Sequence, residues 1–295
     1  MRRALLPALV AATAAALTAV PALGAGDVAV PRLRHVVVVV FENRSYDQVV
    51  GNRAAPTFAR LASEGALLTR YQAVTHPSLP NYLALVSGST QGITEDCTSC
   101  SVDAPTIADT LERAGKSWKT YAEGIPRPGF SGGSSGRYAK KHVPFLYFRA
   151  IASDPERSRR VVGFDVLRQN LAAHRLPSFA LVIPDLCHDM HDCSVATGDR
   201  WLASFLPEVR PALGRDGVLF VVFDEGLYID PSGGGGHIAA WAIGDRVKAG
   251  LRDAEPTGHY GLLRTIEDAL GVPPLGRSMG AKPLSGIWQG SARRS

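Results

Sequence analysis

His35-Val-Val-Val-Val-Val-Phe41, closed by Glu42-Asn43-Arg44-Ser45, is a continuous apolar run that ends abruptly in polar residues. Unbroken valines leave no alternation of apolar and polar positions. That is the pattern of a strand covered on both faces, as in a parallel sheet flanked by helices. Similar runs recur at 179–184 and 218–223, with a shorter one at 238–243. Between them lie stretches of helical period: Pro56 to Glu64, Leu79 to Val86, Pro105 to Ala114, Phe164 to Ala173, Gly198 to Leu213 and Gly258 to Leu270. The alternation predicts an α/β fold, a three-layer α/β/α sandwich with a mostly parallel central sheet. Sites in such sheets form beyond the carboxyl ends of the strands. The polar tips Glu42-Asn43, Asp185 and Asp224-Glu225 are therefore expected to rim one cleft.

The chain has 295 residues and is 45% hydrophobic, ample for one large domain with a buried core. Its formal charge of +5 includes Arg2 and Arg3. Those two head an apolar run to about Val20, followed by Pro21-Ala-Leu-Gly-Ala25. This is the layout of a cleaved signal peptide over 1–25, which predicts a secreted protein. The remaining charge is too mild to predict nucleic-acid binding. Residues 290–295 read as a flexible tail, and nothing in the composition argues against a monomer. Four cysteines occur as Cys97-Thr-Ser-Cys100 and as Cys187 and Cys193 flanking His188-Asp-Met-His-Asp192. Export favours disulfides over thiolate metal sites, and three pairings are open. Glycine-rich loops at Pro126 to Gly136 and Pro231 to Gly236 read either as flaps or as slack connections.

In Thr75-His-Pro-Ser-Leu-Pro-Asn-Tyr82, a serine sits where a turn hands over to an apolar helix. Such a position presents Ser78 beside the first free backbone amides of that helix, a suitable place for an anion. Two oxygen donors at one strand tip, Glu42 and Asn43, with two more at another, Asp224 and Glu225, suit a hard cation. A serine hydroxyl needs such a cation or a base before it can attack.

Six stretches occur in one order: VVVVVFENRS (36–45), THPSLPNYLALVSGSTQGIT (75–94), GRYAKKHVPF (136–145), FALVIPDLCHDMHD (179–192), VVFDEG (221–226) and GHYGLLRTIEDALGVP (258–273). Over residues 33–289 the chain resembles the bacterial phosphoesterase family of the alkaline-phosphatase-like superfamily, which includes acid phosphatases, phosphoinositide phosphatases and phospholipases C. The resemblance implies a phosphoesterase catalytic domain with Ser78 as nucleophile and Asn81 contacting a phosphoryl oxygen. It also implies one divalent ion (calcium, magnesium or zinc) held by Glu42, Asn43, Ser78, Asp224 and Glu225. Two-zinc relatives carry an Asp-His pair where this chain has Asp224-Glu225, so a nitrogen-rich second zinc site is not expected. Asp185, His188, Asp189, His191 and Asp192, with His259, form a further polar cluster. There His191 and His259 are expected to protonate the leaving group or to bind phosphate, with His76 assisting Ser78. Arg44, Arg137, Lys140, Lys141 and His142 are expected to contact an anionic head group, with Phe145, Tyr147 or Phe148 touching lipid. His35, His174 and His237 are read as structural.

The function implied is a secreted phosphomonoesterase acting on phosphate esters, phosphatidylinositol 3-phosphate at a membrane surface among them, through a phosphoserine intermediate. A phospholipase C and an inactive exported binding protein are the competing readings.

Overall fold

The computed structural model describes residues 29–230 and 232–289. The expected signal peptide and tail lie outside the described residues. Nine strands form one sheet: β1 (His35–Phe41), β2 (Ala66–Gln72), β3 (Trp118–Ala122), β4 (Val161–Val162), β5 (Phe179–Ile183), β6 (Gly217–Phe223), β7 (His237–Ile243), β8 (Leu251–Asp253) and β9 (Thr257–Gly258). Their order is β8-β2-β7-β6-β1-β5-β3-β4, with β9 also pairing to β2. Every pairing is parallel except the two made by β7. The expected mixed α/β architecture is therefore present, and β1 lies at its centre with Val36 to Phe41 fully covered.

The helices longer than one turn are α1 (Pro56–Glu64), α2 (Ser78–Ser87), α3 (Ile107–Arg113), α4 (Phe164–Ala172), α5 (Val195–Leu213) and α6 (His259–Leu270). They divide into two groups that pack among themselves, α1, α4 and α5 in one and α2, α3 and α6 in the other. Apolar residues run all round α2, and all of it from Ser78 to Ser87 is buried. It stops at Gly88, whose φ of 71° is left-handed and where a Cβ would sit 2.1 Å from the Leu275 carbonyl oxygen.

Five of the nine strands escaped the sequence reading, and the two long ones among them show why. β2 carries Thr69 and Arg70 at less buried positions and β3 carries Lys119, so neither shows an unbroken apolar run. The glycine run after residue 231 is not slack. A Cβ at Gly235 would lie 2.5 Å from the Thr75 carbonyl oxygen, so the run is packed backbone to backbone against the segment that delivers Ser78. Part of the other loop forms a short hairpin, Ser134–Ser135 against Tyr138–Ala139. Among the described residues no helix is long and apolar enough to cross a membrane.

Candidate active site

Strand register builds the first half of the site. Phe41 on β1 is level with Phe223 on β6, so the next residues, Glu42 and Asp224, leave the sheet side by side. Asp224 N–H donates to the Phe41 carbonyl at 3.0 Å, which extends the ladder one step further. Asn43 then turns into the left-handed region (φ 51°), a conformation asparagine tolerates better than most residues. Its backbone N–H donates to Asp224 Oδ1 at 3.1 Å.

Ser78 enters from the other side, as the first residue of α2. Its hydroxyl lies 3.0 Å from Glu42 Oε2, 3.1 Å from Glu225 Oε1 and 3.5 Å from Asn43 Oδ1. One turn on, Tyr82 donates its phenol to the other Glu42 oxygen. His76 binds the remaining Glu225 oxygen through Nδ1, and its Nε2 faces the Asp230 carbonyl at 3.1 Å. Three of the residues expected around a metal thus face the Ser78 hydroxyl, and the fourth, Asp224, holds the Asn43 amide.

That arrangement is over-supplied with acceptors. A hydroxyl has one proton to give, yet three side-chain oxygens lie within 3.5 Å of it. Asp224 Oδ2 is buried with no hydrogen-bond partner. Burial, then the neighbouring Glu225 carboxylate, pushes Asp224 up to about 8, and chiefly burial pushes Glu225 up to about 7. Glu42 is driven well above its usual range by burial, then by Asp224 and Asp189. Hard oxygen donors crowded together in this way fit a divalent cation, and Glu42, Asn43, Ser78, Asp224 and Glu225 are the residues that would hold it.

The Cys187–Cys193 disulfide closes within its own loop, as does Cys97–Cys100. Glu42 N–H donates to the Asp189 carbonyl at 2.8 Å, seating that loop on the tip of β1. His142 is buried between two carboxylates, with Nε2 3.3 Å from Glu42 Oε2 and Nδ1 3.3 Å from Asp189 Oδ2, and its ring stacks on Tyr82. Burial, with Lys141 and His191 nearby, holds it well below the usual histidine range. It is part of the site's interior rather than of a solvent-facing lip. Lys141 pairs with Asp96 at 2.8 Å and lies 3.3 Å from His191 Nε2. His191 Nδ1 is 2.7 Å from Asp192, and ring nitrogens of His142 and His191 lie within 4.8 Å of a Glu42 oxygen.

Several expected residues have other employment. Asn81 does not face the cleft: Oδ1 accepts from the Val74 and Thr75 amides and Nδ2 donates to the Thr75 and Pro77 carbonyls, which spends its hydrogen-bonding capacity on the turn. Arg44 clamps the disulfide loop, donating to the carbonyls of Met190 at 2.8 Å and Cys193 at 3.1 Å. Lys140 is buried, donating to the Thr98 carbonyl and lying over the Tyr147 ring. Phe145, Tyr147 and Phe148 are core residues, so the expected lipid contact is absent. Arg137 is exposed. His259 is fully buried between Tyr71 and the Asp224 carbonyl, and burial lowers it to about 4, so it is neutral and no acid. Asp185 and His188 form a separate group with Glu123 after β3 and β5. The second amide of α2 is also taken, since Leu79 N–H donates to Asp96.

Tyr82, Asp96 and Glu123 were not singled out from sequence. Only Tyr82 had a readable signal, four residues after Ser78 on one helix face.

Comparison with known proteins gives the family and the fold. A mycobacterial phosphatidylinositol-3-phosphatase (Mycobacterium tuberculosis) is 36% identical over 274 residues, 92% of this chain and 88% of that protein. An Aspergillus fumigatus acid phosphatase is 31% identical, over 81% of this chain but only 55% of its own length. Among solved structures, an alkaline phosphatase superfamily protein from Vibrio parahaemolyticus superposes with a TM-score of 0.57 at 16% identity, covering 88% of this chain and 72% of that one. A lipoteichoic acid synthase from Listeria monocytogenes gives 0.59 at 12% identity, covering 87% and 76%. These distant matches establish the fold alone. The model of the Phosphoesterase family matches residues 52–273, and the chain belongs to that family.

Proposed function

We propose that the chain is a phosphomonoesterase of acid-phosphatase type, with phosphatidylinositol 3-phosphate among its substrates and Ser78 as nucleophile. The observation that carries this reading is the Ser78 hydroxyl within 3.5 Å of Glu42, Asn43 and Glu225 at the start of a buried helix. The named relatives favour phosphate monoesters, and the mycobacterial one a phosphoinositide.

Glu42, Asn43, Ser78, Asp224 and Glu225 would hold a divalent ion, which when bound would supply neutralisation of the negative charge that builds up in the reaction. Ser78 Oγ forms a bond to phosphorus as the ester P–O bond breaks, and its proton passes to Glu225. His191 gives a proton to the leaving alcohol. Water then attacks the phosphoserine, giving its proton to His191, while Ser78 recovers a proton from Glu225 and phosphate leaves. His76 orients Glu225, and Tyr82 and His142 fix Glu42. The disulfide pairs and the composition of residues 1–25 support export.

Phosphate release from p-nitrophenyl phosphate and from phosphatidylinositol 3-phosphate, with Ser78→Ala alongside, tests this. Release that disappears in the variant is expected. Unchanged release in the variant refutes the nucleophile, and diacylglycerol as the product refutes the monoesterase.

A further inference from the structure

The basic and aromatic lip expected from residues 137–148 is largely internal, yet one apolar pair at the site is fully displayed. Tyr228 is 82% and Ile229 85% exposed; among the described residues the only other large exposed hydrophobic is Met279. The pair stands three and four residues after Glu225, in a loop tied down on both sides. Leu227 N–H donates to Ser45 Oγ at 3.0 Å and Gly226 N–H to the Gly235 carbonyl at 2.8 Å. Asp230 N–H donates to the Leu227 carbonyl, and Asp230 Oδ2 accepts from His237 N–H at 2.9 Å. The Tyr228 ring packs against His76, 5.3 Å between centroids, while His76 in turn binds Glu225.

We infer that Tyr228 and Ile229 form an interfacial anchor that seats the mouth of the site on a lipid bilayer bearing the substrate head group. A fixed loop with two large apolar side chains in water gains nothing from that exposure in the free protein. Tyrosine and isoleucine side by side suit the boundary between head groups and acyl chains, the ring with its hydroxyl at head-group level and the aliphatic chain below. The occupant follows from continuity with the site: the anchor and the carboxylate beside Ser78 share one short loop, so a surface that takes the pair is brought to the nucleophile. The inference rests on the phosphoinositide reading above for its substrate, but not for its binding step.

Flotation with phosphatidylcholine–phosphatidylserine vesicles containing no substrate separates the two. Wild-type protein is expected to float with the vesicles. Ile229→Ser, which leaves the Tyr228–His76 contact in place, should weaken partition by about tenfold and the Tyr228→Ser/Ile229→Ser pair by more. Turnover of p-nitrophenyl phosphate should be unchanged by Ile229→Ser, while hydrolysis of vesicle-borne phosphatidylinositol 3-phosphate falls through a higher apparent KM. Absence of wild-type flotation, or equal flotation of wild type and variants, overturns the anchor. An equal loss on monomeric short-chain phosphatidylinositol 3-phosphate also overturns it, since the pair would then touch a single substrate molecule. Wild-type flotation without hydrolysis of either phosphate ester instead refutes the proposed function and leaves the anchor standing.

Discussion

The strand tips and the segment 137–148 were both expected to supply site residues, and they differ in how they deliver them. Glu42, Asn43, Asp224 and Glu225 follow directly from two hydrogen-bonded parallel strands, whose register sets them level before any side chain is placed. Residues 137–148 pass through short 3-10 turns in which successive side chains point to unrelated environments. Lys140 goes to the Thr98 carbonyl, Lys141 to Asp96, and His142 between Glu42 and Asp189. A sheet edge converts sequence order into position; an irregular segment does not.

The largest effect belongs to the residue at the centre of the strand tips. Ser78→Ala should lower kcat/KM by roughly a thousandfold or more, about 4 kcal/mol of transition-state stabilisation. Steady-state kinetics on p-nitrophenyl phosphate, with circular dichroism to confirm folding, measures it. Asp224→Asn should cost on the order of a hundredfold and weaken divalent-ion binding in calorimetry; if ion affinity were unchanged, the tips would not be the metal site.

Metal removal sharpens the contrast through pH. Asp224 and Glu225 are raised to about 8 and about 7 in the folded chain, so the native state holds protons that the unfolded chain has already released. Stability from this cluster is therefore present at low pH and lost as pH rises from roughly 4 toward 8. Chelated protein should show a lower Tm at pH 8 than at pH 5, and an added divalent ion should recover more of it at pH 8. A Tm indifferent to both would break the assignment.

Within 137–148 the effects should be smaller and of a different kind. Lys140→Ala removes a buried ammonium that bonds a carbonyl and covers Tyr147. It should cost about 1–3 kcal/mol of stability in urea melts while leaving kcat nearly intact. Arg137→Ala, at an exposed position, should shift stability by no more than about 0.5 kcal/mol. A large rise in KM for a phosphoinositide in that variant would restore Arg137 to the substrate site.

The sequence alone determined the α/β alternation, because unbroken apolar runs such as Val36 to Phe41 can only be buried on both faces. It also brought Glu42-Asn43 and Asp224-Glu225 together, because they end adjacent parallel strands, but Asp185, expected at the same cleft, stands apart with His188 and Glu123. Only the tertiary structure decided which residues are consumed by the scaffold. Asn81 closes its own turn, His259 is sealed beneath Asp224, and Phe145, Tyr147 and Phe148 fill the core. The physical reason is that hydrogen-bond capacity and burial are settled by neighbours distant in the chain. Tyr82 on Glu42 and Asp96 on Lys141 are partners that residue type and spacing do not specify.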